Sequence, residues 1–463
     1  MLEGSMSDSL IFCGVALAIA ALVLCLAIPV HWLPTVALIL YAVVPQKLIS
    51  GQIMQLTAPA LILFLIWGLR RISLAEIWRQ PRADFRSSVP SAVRNWILGF
   101  SGFSILLSGV SIVRSTSVGW LWYFLVSLLI PVLVGDLTLE ARALRRAIPI
   151  VGSIFGAYST IEFAIERDPI YDSLYFNVGR GDYQHWSSYR ADSVFSHPLF
   201  AGTFFAIATV VALTAWLEGG RRREIPFAIF CGTGLVLTLS RGAFIATTLA
   251  LFAVFVGIFL VPKTAARQRM VGAVAGSVIG VLIVSQLGFV QNRLNSAEAA
   301  SSTTGRGSLL EVSIRAVAQY YWMGSGPGTS RVAAEPFNDV GIPIESGYLE
   351  LLISLGIVGF LCFIGIAVSV VLSALSRGDL VGLGMSVAFF VSIAGYNSLD
   401  GHRSTAILFG LVLIAASSSV QRSVNRVTVI RHPCGDVAGK ASRFIVRCPI
   451  DRRSAPSTSA KSY

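Results

Sequence analysis

Residues 346–374 read SGYLELLISLGIVGFLCFIGIAVSVVLSA, and this stretch decides the class of fold. It holds one carboxylate, Glu350, and no basic residue. It also exceeds the roughly 20 apolar residues that a helix needs to cross a bilayer. A helix built from it is apolar on every face, which water does not tolerate on an exposed element. In lipid the same helix satisfies its backbone internally, and its side chains need no polar partner.

Similar runs recur outward from it, near 10–30, 33–48, 55–69, 94–113, 118–137, 146–164, 198–217, 225–240, 242–262, 271–290, 380–398 and 404–420. Together they predict an all-α polytopic membrane protein of about 12–13 transmembrane helices. The lower count applies if the first two runs pair as a hairpin or one is re-entrant. The first run lacks a basic leader and a small-residue cleavage site, and reads as a retained helix. Composition agrees: 54% of residues are hydrophobic and 13% charged, against roughly 25% charged in soluble domains.

The net charge of +12 comes from short clusters between apolar runs. Arg70, Arg71, Arg79, Arg82 and Arg86 form one; Arg142, Arg145 and Arg146 another. Arg221–Arg223 and Lys263, Arg267 and Arg269 follow, and then a basic tail. They fall on alternate connections and so share one face, the cytoplasmic one by the positive-inside rule. The C-terminus is then inside and, with thirteen helices, the N-terminus outside. No basic groove with interleaved aromatics occurs, which argues against nucleic acid. Six cysteines without CxxC or metal-ligand spacing imply neither a disulfide framework nor a metal. Residues 1–420 are expected to form one transmembrane unit, with 421–463 a basic, disordered cytoplasmic tail.

The opposite face carries loops of about 166–197 and 291–345, the short turn at Ser240–Arg241 and the turn Asn397–Arg403. In the longest loop Leu310, Ile314, Val317 and Tyr321 recur at helical spacing. They predict an amphipathic helix at the interface, broken by Gly324-Ser-Gly-Pro-Gly328.

Candidate chemistry gathers on that face. Arg241 lies between two apolar runs. It reads either as a snorkelling interfacial cation or as a phosphate ligand whose guanidinium forks onto oxygens. Arg306, in Thr304-Gly-Arg-Gly-Ser308 just ahead of the amphipathic helix, is a solvated loop arginine or a second phosphate contact. Glu345 is a helix-start acid or a general base for a sugar hydroxyl, with Glu350 as alternate. Arg190 binds phosphate or sugar, or pairs with Asp192. His197, before Pro198, is a cap or a ligand. Asp400, His402 and Arg403 form a last polar cluster. Tyr183, Trp186 and Tyr189 are belt aromatics or sugar-stacking rings.

Taken in order, several of these segments resemble the O-antigen ligase and Wzy-type polysaccharide polymerase superfamily. They are Arg-x-x-Ser-x-Phe-x-x-Pro at Arg190–Pro198, Leu-Ser-Arg-Gly-Ala at Leu239–Ala243, Gly305-Arg306, Gly-Ser-Gly-Pro-Gly at Gly324–Gly328, and Glu-Ser-Gly-Tyr-Leu at Glu345–Leu349 followed by Leu355-Gly-Ile-Val-Gly359. The likeness spans roughly 180–375.

The resemblance implies a GT-C-like, metal-independent, inverting glycosyltransferase of the bacterial inner (cytoplasmic) membrane, its active site facing the periplasm and needing no cofactor. Its donor and acceptor would be glycans on undecaprenyl diphosphate. It implies that Arg241 and Arg306 hold the donor diphosphate and that Glu345 activates the acceptor. Arg190, His197, Tyr348 and Arg403 would contact substrate. Ligases of the family carry a histidine where this chain has Glu345, so the departure favours a polymerase over transfer to lipid A–core or protein. A transporter of an anionic glycolipid remains a rival from another class. Membrane lipids and a polysaccharide co-polymerase that regulates chain length are the further partners implied.

Overall fold

The computed structural model describes residues 27–44, 46–48, 58–72, 88–177, 188–260, 266–272, 276, 286–294, 297–338 and 343–417. Among them the secondary structure is helical. The longer helices follow the expected runs: α1 (Leu33–Val43), α2 (Pro59–Ile72), α3 (Ser91–Gly109), α4 (Arg114–Leu133), α5 (Thr138–Ile165), α6 (Pro198–Gly219), α7 (Glu224–Leu237) and α8 (Arg241–Leu260). After these come α9 (Ala297–Gln319), α10 (Gly347–Ser376), α11 (Leu380–Ser392, extended by a 3₁₀ turn Ile393–Gly395) and α12 (Thr405–Ala416). Helices α4, α5, α6, α8 and α10 are long and apolar enough to span a membrane, and α1, α7, α11 and α12 are shorter apolar helices. The expected run at 10–30 falls almost wholly outside the described residues, that at 271–290 falls outside for the larger part, and the tail beyond residue 420, Tyr183 and Trp186 lie outside entirely.

Burial sorts the helices. Most residues of α6 and almost every residue of α11 and α12 are buried, so these form the centre, and Phe363, Phe389, Phe390 and Phe409 interlock there. The outer helices expose large apolar side chains instead: Ile245, Phe252 and Phe259 on α8, Leu361 and Leu372 on α10, Leu106 on α3. An exposed apolar belt around an apolar centre is what lipid as solvent requires. Close approach in the centre depends on small residues. A Cβ on Gly156 of α5 would run into the Phe230 carbonyl of α7.

The two ends of the bundle differ. At one, Arg145 pairs with Asp379 and donates to the Ala415 carbonyl 2.8 Å away. Arg71 lies 3.0 Å from Glu140, and Arg377 donates to Ala416. This end gathers the sequence-read basic clusters at Arg70–Arg71, Arg142–Arg146 and Arg269. The other end carries the loops.

Two expectations about the longest loop change. Arg306 does not precede the amphipathic helix: α9 starts at Ala297, so Gly305-Arg306-Gly307 lies inside it, and the Arg306 side chain is outside the described residues. The alanine- and serine-rich stretch ahead of it carries the helix through both glycines, each unfavourable by only ~1 kcal/mol. The apolar stripe is also wider than expected. Leu309, Ala316 and Val317 pack inward with Ile353, whereas Leu310, Ile314 and Tyr321 stay exposed.

The Gly324–Gly328 segment does more than stop α9. Gly356 has φ 65° and ψ −170°, which kinks α10. The loop then takes over the broken helix bonds: Ser325 N donates to Ile353 O at 3.1 Å, Gly326 N to Ser354 O at 2.9 Å, and Ile357 N to Trp322 O at 3.0 Å. Gly324 (φ 96°) sits where a Cβ would come within 2.6 Å of the Gly356 nitrogen. The residues beyond the kink, at ~1.5 Å each, still give α10 roughly the 30 Å needed to span.

Candidate functional site

The loop-bearing end is assembled around the Ile393–Asp400 segment. Gly242, beside Arg241, faces Gly395 across 3.7 Å from its would-be Cβ. Gly347, two residues after Glu345, abuts Ser398 and the Ile393 carbonyl. Phe200, three residues after His197, packs at a tilt against His402 (centroids 3.7 Å apart) and meets Tyr396 edge-on at 5.1 Å. Segments carrying Arg241, Glu345, His197, His402 and Arg403 thus meet on one short stretch of chain.

Arg241 is the first residue of α8. The preceding turn bends through Leu239 (φ 50°), and Ser240 Oγ lies 3.4 Å from Ala243 N at the helix start. A cation at a helix N-terminus opposes the positive end of the helix dipole. An anion bound there reverses that penalty, because amide N–H groups and guanidinium then act on the same charge.

Arg190 is buried, and its Nε donates to the Thr238 carbonyl at 3.0 Å, while Ala191 N donates to Leu237 O at 3.0 Å. These bonds tie the Arg190 loop to the turn that presents Arg241. The loop is fixed from its other side by Glu162, a residue sequence reasoning passed over. Its carboxylate accepts from Tyr189 Oη (3.0 Å), Asp192 N (2.9 Å) and Ser193 N (2.8 Å). Burial pushes the Asp192 carboxyl up to about 6. An acid near the end of the 146–164 apolar run was the available signal, since ionisable groups in such runs are costly.

His197 caps α6, its Nδ1 accepting from Leu199 N at 3.2 Å. Burial and the Arg190 charge push it down to about 4. His402 is likewise pushed down to about 3 by burial and by His197, so both imidazoles are neutral near pH 7. Lys47 also acts on His197 and lies 4.6 Å from the Tyr175 ring; reading the run as ending at 48 hid it.

Glu345 is half-buried, directly ahead of Ser346, the N-cap of α10. Glu350, its alternate, is committed: it accepts from Leu399 N (3.0 Å), Asp400 N (3.2 Å) and Gly401 N (3.2 Å). Asp400 accepts from Ser330 N at 3.2 Å, and burial raises its carboxyl to about 6. Tyr348 donates to the Phe390 carbonyl at 2.8 Å and packs against Phe363, so its hydroxyl is engaged inside the bundle. Arg403 is half-buried near Tyr123 and Asp400, and burial lowers its pKa.

Beside this cluster lies a narrow cleft that encloses about 30 Å³. It is walled by Tyr41 and Val44 from the end of α1, Ala58–Ala60 at the start of α2, Tyr123, and Phe195 and Phe200 of the Arg190 loop. His402, Ser404 and Ile407 complete it. Among the described residues no group of three His, Cys, Asp or Glu side chains is arranged to hold a metal ion.

Residues 226–364 match the family model described as O-Antigen ligase. The matched range contains Arg241, Arg306, Glu345 and the Gly324–Gly328 knot, and excludes Arg190, His197 and Arg403. No curated protein matches the chain closely enough to add a relative.

Proposed function

We propose that this chain, whose residues 226–364 match the family model described as O-Antigen ligase, polymerises glycan repeat units carried on undecaprenyl diphosphate, at the periplasmic face of the bacterial inner membrane. The observation that supports it is that Gly242, next to Arg241 at a helix N-terminus, and Gly347, two residues after Glu345, both pack against the Ile393–Ser398 segment.

In the proposed reaction a hydroxyl oxygen of the acceptor repeat unit attacks C1 of the donor's terminal sugar. The C1–O bond to the diphosphate breaks, its electron pair leaves with undecaprenyl diphosphate, and the anomeric configuration inverts. The hydroxyl proton passes to the Glu345 carboxylate. Arg241 and the α8 amides stabilise charge developing on the leaving diphosphate, as fixed donors do without a metal. Arg306 is proposed as the second cation. Arg190 acts through the Thr238 turn rather than as a first contact. The carboxylate at 345, in place of the ligases' histidine, supports polymerisation over ligation.

Polymer length in cells tests this. Cells with Arg241→Ala or Glu345→Ala at normal protein levels are expected to retain single lipid-linked repeats. Long lipid-linked polymer left unattached would indicate a ligase instead. Normal surface chains would refute both.

A further inference from the structure

We propose that the turn between α6 and α7, together with the helical residues 266–272 beyond α8, binds the headgroup of an anionic phospholipid at the basic end of the bundle. The proposal is independent of the reaction drawn above.

Three observations carry it. The first is charge without a counter-ion. Elsewhere at this end arginines are spent on carboxylates, Arg145 on Asp379 and Arg71 on Glu140. In the turn Gly219-Gly-Arg-Arg-Arg-Glu224 all three arginines are exposed, and Arg223 lies 3.3 Å from Glu224. Among the described residues Arg221, Arg222 and Arg267 lie in no ion pair. The second is that the arginines are placed by the fold. Residues 266–272 lie across the ends of two helices: Ala266 is buried with Leu217 of α6 and Ile258 of α8. Arg269 Nη1 donates to the Leu217 carbonyl at 2.9 Å, and Arg267 Nη2 to the Phe259 carbonyl at 3.0 Å. Guanidinium groups suit the negative ends of helix dipoles. A Cβ on Gly220 (φ 64°) would strike the Arg269 guanidinium, so the Arg221–Arg223 turn sits against this segment.

The third is position. Phe252, Phe259 and Leu260 are exposed on the last turns of α8, and the Arg267 guanidinium lies 6.0 Å from the Phe259 ring. A cation set at the end of an exposed apolar flank has the layout of a phospholipid. The phosphate meets guanidinium groups, which fork onto its oxygens, and the acyl chains run along α8. A free anion or a nucleic acid would use the arginines and leave the flank without a partner. Basic pockets between the ends of spanning helices hold anionic headgroups in this way.

The test uses the full-length protein in detergent, with native mass spectrometry to titrate cardiolipin, phosphatidylglycerol and phosphatidylcholine. Arg221→Ala/Arg222→Ala strips the turn at exposed positions, where the fold is least disturbed. Arg142→Ala/Arg146→Ala removes the same charge from exposed positions of α5 at the same end, and so controls for diffuse attraction. An arginine near an anionic surface is worth about fivefold in affinity, so the first pair is expected to weaken the anionic lipids about twentyfold and the second less than about twofold. Phosphatidylcholine is expected to bind more weakly than either anionic lipid, and equally in all three proteins. Equal losses in the two double variants would reduce the site to diffuse charge and overturn the proposal. So would wild-type protein without a preference for anionic lipid, or displacement of bound lipid by an equal concentration of inorganic phosphate.

Discussion

At the basic end of the bundle, Arg145 grips Asp379 through both terminal guanidinium nitrogens and Arg71 sits 3.0 Å from Glu140. At the loop-bearing end, Glu162 and Glu350 are equally buried, yet the bonds holding them come from backbone amides and a tyrosine. Arg190 spends its Nε on a carbonyl, and Arg241 heads a helix. One end pairs cations with carboxylates to lock helices together. The other also uses carboxylates to shape loops, with Arg190 donating to the Thr238 carbonyl and Arg403 lying near Tyr123 and Asp400. The first arrangement suits stability, and the second suits an anionic substrate.

Substitutions that exchange these roles break the comparison if it is wrong. Arg145→Ala leaves Asp379 buried without its cation, and a loss of about 3–5 kcal/mol is expected, read as failure to accumulate or a large drop in thermal stability in detergent. Arg241→Ala is expected to lower transfer by on the order of 10²-fold while the melting temperature stays near wild type. A destabilised Arg241→Ala protein would make that arginine structural. Glu350→Gln turns an amide NH₂ toward donors at Leu399–Gly401, and a loss of about 1–3 kcal/mol is expected from thermal unfolding. Retained stability would show that the turn is held otherwise.

The sign of the pH dependence separates residue types within the loop-bearing end. Asp192 and Asp400 have folded values raised to about 6. Their contribution is fully present below the usual carboxylate range and is lost as pH rises through about 6. His197 and His402 are depressed to about 4 and about 3. Theirs is present above the usual imidazole value and is lost as pH falls through those values. Asp400→Asn is therefore expected to remove a decline in stability between about pH 4 and 6, and His402→Asn a decline on the acid side. Unfolding curves across pH 4–8 check both; an unchanged slope in Asp400→Asn would contradict the raised carboxyl.

The membrane fold was legible because lipid imposes one rule on every spanning segment, and runs such as 346–374 obey it without help from neighbours. The residues near Arg241 were legible for the opposite reason: an arginine between apolar runs breaks that rule. What stayed hidden depends on distant partners. Glu162 looks like a helix residue until Ser193 and Tyr189 arrive at its oxygens. Gly324–Gly328 looks like a helix stop until its amides take over the carbonyls of α10. Tyr348 looked available for substrate because nothing in the sequence brings Phe390 to it. Arg306 was put ahead of its helix because two glycines carried more weight than the alanines before them.

Proteoliposomes holding the purified full-length chain and one synthetic undecaprenyl-diphosphate repeat unit test the central reading most directly. The expected result is a ladder of lengthened glycans, one undecaprenyl diphosphate released per bond formed, with no added metal and no ladder from Arg241→Ala. Single repeats that remain unjoined, or that cross the bilayer without new glycosidic bonds, would contradict it.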